Sequence, residues 1–195
     1  MHKKSIIICT ALFSVVLIVG GIFLLTYNPQ TVTEKTKKLY SDAFVCEMKF
    51  DGIDETVTFE VYPNLAPKTV KNFTKLVKDG YYDGLTVHRV VGDMIIQAGD
   101  GKKTGSIKGE FSLNGVYNPL KHEKGVISMA RTPDPNSASS QFFIVVADSI
   151  PSLDGEYASF GMVTDGIEIV QEVSHTPCNG ETPVTPPVIE YIKLK

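Results

Sequence analysis

One arginine stands inside an apolar run. In Val87–Asp100, VHRVVGDMIIQAGD, Arg89 and Gln97 are among the few polar side chains on a surface of Val, Ile and Met. A guanidinium in such surroundings is costly without a partner, so the pattern points to a cleft in which a ligand carbonyl becomes that partner. A second stretch of the same character, Asn136–Gly161, supplies the aromatic and aliphatic residues a cleft would need. Nucleophilic chemistry is poorly served. Ser137, Ser139 and Ser140 cluster, but there is no GxSxG elbow, and His2, His88, His122 and His175 are scattered singly. Cys9, Cys46 and Cys178 show no CxxC spacing, so no metal framework is legible and no cofactor is implied.

These side chains need a scaffold, and 195 residues with 43% hydrophobic content can bury a real core. Phe44, Cys46, Met48 and Phe50 alternate with Val45, Glu47, Lys49 and Asp51, and Val57, Phe59 and Val61 supply one face of a second strand after Asp51-Gly52, which predicts a hairpin. Pro67 opens a helix whose stripe is Val70, Phe73 and Val77 and which Gly80 closes. Short strands follow at residues 86–91, 94–98, 125–130, 141–146 and 158–163, then a short helix at 166–173, a proline-rich loop, and a last strand at 188–194. Many short strands with only two helices imply a mainly β fold, a closed or nearly closed antiparallel barrel. A net charge of −3 without any large basic block argues against a nucleic-acid partner.

The first residues carry a different message. After Lys3 and Lys4, the run from Ile6 to Leu25 holds no charge and is long enough, at ~1.5 Å per residue, to reach across the ~30 Å apolar core of a bilayer. It is longer than the usual signal-peptide core, and no small-x-small site follows it. The expectation is a short cytoplasmic end (residues 1–5), a transmembrane anchor (6–25), a polar linker (26–42) and an extracytoplasmic domain (43–195) oriented by the two lysines. Cleavage of the segment would instead leave a secreted protein.

Taken together, APKTVKNF (66–73), YYDGLTVHRV (81–90), GVISMAR (125–131), SSQFFIVV (139–146) and LDGEYASFG (153–161) resemble the cyclophilins, with the short loops most like bacterial members. The resemblance covers residues 43–195 and implies an eight-stranded barrel capped by two helices, with peptidyl-prolyl cis-trans isomerase activity. It places the catalytic arginine at Arg89, beside His88, and the amide that positions it at Gln97. The proline pocket falls on Met94, Ile95, Phe143 and Leu153, with Ala130 and Arg131 beside the peptide and Tyr157 at the pocket edge. Met94 stands where the family usually has Phe, and Tyr157 replaces a common His. In this fold the first and last strands adjoin, so a Cys46–Cys178 disulfide is conceivable.

Rotating an X–Pro bond breaks amide resonance against a barrier of ~18–20 kcal/mol. No nucleophile, metal or cofactor is needed, only better binding of the twisted amide than of either planar form. The implied partners are proline-containing polypeptides and, through the N-terminus, a membrane; the domain is expected to be monomeric. The alternative function is a non-catalytic docking module for proline segments, using the same pocket.

Overall fold

The computed structural model describes residues 37–195. The expected membrane span and most of the linker lie outside them. Residues 37–39 are helical, and the chain then docks on the domain: Tyr40 meets Tyr62 edge-on at 5.0 Å, and the Asn64 amide donates to the carbonyls of Lys38 and Ser41 at 3.2 and 3.1 Å.

β1 (Phe44–Phe50) alternates as its sequence dictates, burying Cys46, Met48 and Phe50. Phe44, expected on the same inward face, is instead 46% exposed, because it occupies the first position of the strand, past the packed core. β2 (Thr56–Val61) returns as the hairpin partner with Val57, Phe59 and Val61 inside. After α1 (Pro67–Lys78) come β3 (Val87–Val91), β4 (Ile95–Ala98), β5 (Val126–Met129), β6 (Phe142–Val145) and β7 (Ser159–Asp165). Next are α2 (Ile167–Ser174), a small hairpin of β8 (Cys178–Asn179) and β9 (Thr182–Pro183), and β10 (Ile189–Leu194). One antiparallel sheet of eight strands runs in the order β10-β1-β2-β7-β5-β6-β4-β3.

The sheet curls until its edges meet, but not through a ladder. Just before β3 and β10 the chain forms a single bridge, Thr86 with Val188, and the seam is otherwise held by backbone bonds such as Val87 N–H to the Pro187 carbonyl at 2.9 Å. The physical reason is Pro186-Pro187, which precede β10 and have no N–H to donate. The barrel is therefore a curled sheet with a minimal seam.

Phe73 of α1 fills the concave side, with ring centroids 5.1–6.1 Å from Phe59, Tyr82, Phe142 and Phe160. The helix has no cap of its own at Ala66. Glu110, buried in a distant loop, supplies one: its carboxylate accepts from the N–H groups of Lys68 (3.1 Å) and Thr69 (2.8 Å) and from the Thr69 hydroxyl (2.8 Å). That anion satisfies orphan donors at the positive end of the helix dipole. Cys46 and Cys178 are both free thiols, so the conceivable disulfide is absent. Cys178 lies on β8 rather than on the last strand, and its Sγ sits 3.1 Å from the Thr176 carbonyl.

Candidate active site

Strand register builds the site. Arg89 on β3 pairs with Gln97 on β4, Gln97 with Phe143 on β6, and Phe143 with Ser128 on β5. Because side chains alternate across a sheet, this row of four shares one face while their neighbours take the other. Phe142 belongs to the main core, whereas Phe143 joins a second apolar cluster with Val126, Val145 and Ile150. That second cluster is the wall of a cleft.

The cleft has a volume of about 330 Å³, at the lower end of the range for small-ligand sites. Nine of the ten expected residues line it: Arg89, Met94, Ile95, Gln97 and Ala130 on one stretch of wall, and Arg131, Phe143, Leu153 and Tyr157 on the rest. His88 does not line it. It is the extra residue of a bulge in β3, between the Val87–Ala98 and Arg89–Gln97 pairs, and its Nδ1 is buried without a hydrogen-bond partner. Val91, Ile150 and Ser152 also line the cleft. Of these, Ile150 was hidden because its link to Phe143 is tertiary.

Arg89 is held on two sides. Nη1 donates to Gln97 Oε1 at 3.0 Å, as the sequence suggested, and Nε donates to Glu181 Oε2 at 2.7 Å, which it did not. Gln97 passes the order outward: its Nε2 donates to Gln141 Oε1 (2.8 Å), and Gln141 donates to Asp100 (3.0 Å). Among the described residues, Nη2 of Arg89 has no partner. Gly99, which follows the Gln97 strand, is fixed as glycine by φ of 88° and by the Ser140 carbonyl, 2.6 Å from where a Cβ would stand.

Arg131 is not a free cation for substrate. It donates to the backbone of Glu156 and Thr132 at 2.9 and 3.0 Å, pairs with the Glu156 carboxylate at 3.3 Å, and covers the Tyr157 ring at 4.6 Å. These contacts fix its guanidinium in the wall of the cleft. Tyr157 in turn meets Phe143 edge-on at 5.8 Å. Met94, expected at the floor, sits in the β3–β4 turn and is 45% exposed, so it forms a rim rather than a floor.

Behind Phe143 lies a set the sequence did not reveal. His122 stacks on the Phe143 ring at 5.9 Å, its Nδ1 is 3.0 Å from Asp154 and its Nε2 3.0 Å from the Ser128 hydroxyl. A neutral ring satisfies both contacts, with Nδ1–H donating to the carboxylate and Nε2 accepting from Ser128. Burial holds the imidazole below its ordinary pKa, more than the Asp154 contact raises it. The trio has the composition of a hydrolytic triad, but Ser128 is 0% and His122 1% exposed, so no substrate reaches the hydroxyl. It braces the cleft floor. The Ser137 hydroxyl, for its part, is taken by Thr132 and Asp134.

A fixed guanidinium edge beside an apolar slot can grip a small ring and donate to the amide next to it. Residues 45–194 match the family described as "Cyclophilin type peptidyl-prolyl cis-trans isomerase/CLD". The chain is 43% identical over 131 residues to peptidyl-prolyl cis-trans isomerase-like 1 of Neurospora crassa, covering 65% of this chain and 79% of that one. It is 42% identical to the Schizosaccharomyces pombe peptidyl-prolyl cis-trans isomerase ppi1, covering 60% of this chain and 77% of that one. In structure it is similar to a Cryptosporidium parvum cyclophilin type peptidyl-prolyl cis-trans isomerase, with a TM-score of 0.69, 29% identity, and coverage of 78% of this chain and 98% of that one. The latter protein has also been crystallised in the presence of the dipeptide Ala-Pro. These three relatives are eukaryotic, whereas a Staphylococcus aureus relative is 35% identical over 176 residues, so the comparisons do not single out the bacterial members that the sequence suggested. Sequence and fold agree: the chain belongs to the cyclophilin-type peptidyl-prolyl cis-trans isomerases and shares their enzymatic activity.

Proposed function

We propose that the isomerase works by stabilising the twisted X–Pro amide with Arg89 while the proline ring is gripped by Phe143, Ile95, Leu153 and Met94. As the bond turns, the proline nitrogen becomes pyramidal and gains a lone pair. A hydrogen bond from the guanidinium to that nitrogen, or to the neighbouring carbonyl, favours the twisted form over both flat ones. Apolar walls remove water and strengthen the bond. The observation that carries this reading is the Arg89–Gln97–Phe143 row, which puts a permanent cation and an aromatic floor on one face of adjacent strands. The relative's crystallisation with a proline dipeptide supports the same occupant.

We further propose that the domain acts outside the cytoplasm on translocated chains as they fold, as a monomer held by residues 6–25. The support is the uncharged run Ile6–Leu25 after Lys3 and Lys4. Slow proline steps leave folding chains with exposed apolar surface, which gives such an enzyme a use. Exchange NMR on an X–Pro tetrapeptide tests the activity: cis–trans exchange peaks appearing at millisecond mixing times support isomerisation. Line broadening from binding alone would favour a docking module. For location, protease added to intact cells should digest the domain.

A further inference from the structure

We infer that Glu181, at the tip of the β8–β9 hairpin, is a positioning residue for Arg89. The inference rests on the reading of Arg89 given above. Residues 178–183 carry two two-residue strands, paired Cys178 with Pro183 and Asn179 with Thr182, with Gly180-Glu181 as the turn. The turn is not free at the surface. The Glu181 carbonyl accepts the Val90 N–H at 2.8 Å, which pins its backbone to β3 one residue from Arg89. Below the tip, the Pro177 carbonyl accepts from Val184 N–H at 2.8 Å, so the base is fixed as well. From this mount the Glu181 carboxylate receives Arg89 Nε at 2.7 Å.

Two contacts on a planar group fix its third corner. Gln97 alone would leave the guanidinium free to swing about the Nη1 bond. Adding Glu181 at Nε sets the plane, and the unpartnered Nη2 is left in a defined place for substrate. The opposite effect, damping of the arginine's charge by the carboxylate, is weaker. The two side chains are 41% and 52% exposed, so water screens the charge at the slot, while the direction of the hydrogen bond is kept. Exposed pairs of this kind add little to folding stability, so the consequence should appear in turnover.

The test is made on the full chain in detergent micelles, with wild type, Glu181→Ala, Glu181→Gln and Thr182→Ala assayed on an X–Pro tetrapeptide. For Glu181→Ala, kcat should fall about two- to fivefold, the range an exposed charged pair supports. KM and the melting temperature should be unchanged. Glu181→Gln, which keeps an acceptor for Nε, should recover most of the loss, and Thr182→Ala should match wild type. The Arg89 Nε–H resonance should lose its protection from exchange in Glu181→Ala only. In an Arg89→Ala background, Glu181→Ala should have no further effect. Unchanged or raised kcat in Glu181→Ala, or an equal loss in Thr182→Ala, would overturn the inference and leave the isomerase reading standing. An inactive wild type would overturn that reading instead.

Discussion

Replacing Phe143 by Leu should damage catalysis more than the same change one residue earlier. Phe142 and Phe143 are 2% and 3% exposed, so burial alone does not separate them. Their faces do: Phe142 packs on Phe73 and Tyr82 in the main core, while Phe143 lines the cleft between His122 and Tyr157. Each Leu substitution should lower stability by about 1–3 kcal/mol, the usual range for shrinking a core side chain. Only Phe143→Leu also strips an aromatic wall from the proposed proline site. If about two methylenes lose half of their contact, the loss is about 0.8 kcal/mol, or roughly fourfold in kcat/KM. Displacement of His122 and Tyr157 adds to this. Phe142→Leu should stay within about twofold of wild type by the same reasoning. Both variants would be assayed on an X–Pro tetrapeptide at a temperature where circular dichroism shows them folded. Equal losses in the two variants, or none in Phe143→Leu, would refute the assignment of the two faces.

Glu110→Ala should destabilise the fold by about 2–3 kcal/mol, since it removes a charged acceptor from three donors at the start of α1. Urea denaturation would measure this, and a change under about 0.5 kcal/mol would contradict the capping role. Burial lowers the His122 pKa in the folded state, so the unfolded chain takes up a proton first as acid is added. Stability should be full above the ordinary histidine range and decline as pH falls through it; urea midpoints flat from pH 7 to 5 would contradict this. Burial pushes the Cys46 thiol up to about 12, so Cys178 should react with thiol reagents in the native protein well before Cys46 does. Mass mapping of the labelled cysteine checks that order.

Much of the scaffold could be read from the chain because its signals are local. Alternation located β1 and β2, Pro67 and Gly80 bounded α1, and the apolar blocks located the five middle strands within a residue or two. Arg89 and Gln97 were legible as polar intruders, but Phe143 as the cleft-facing aromatic came only from the resemblance, since period 2 shows that neighbours differ without saying which faces in. What was missed is what distance in sequence conceals. Glu181 meets Arg89 across 92 positions, and Glu110 caps α1 across 41 to 42. The β8–β9 hairpin sat inside what read as a proline-rich loop, because two-residue strands are too short to show a period. The seam was overread as a closed barrel, although Pro186 and Pro187 already removed the donors a ladder would need.

If Arg89 favours the twisted amide, as proposed, rather than simply holding the peptide, its loss should slow isomerisation more than it weakens binding. The most direct measurement compares wild type and Arg89→Ala for both isomerisation rate and tetrapeptide affinity, using exchange NMR and titration on the same samples. In Arg89→Ala the rate should be lower by about 10²–10³, the loss expected for one preorganised donor, with affinity changed only a few-fold and the fold retained. A rate that falls no further than affinity does, or stays near wild type, would contradict the proposal.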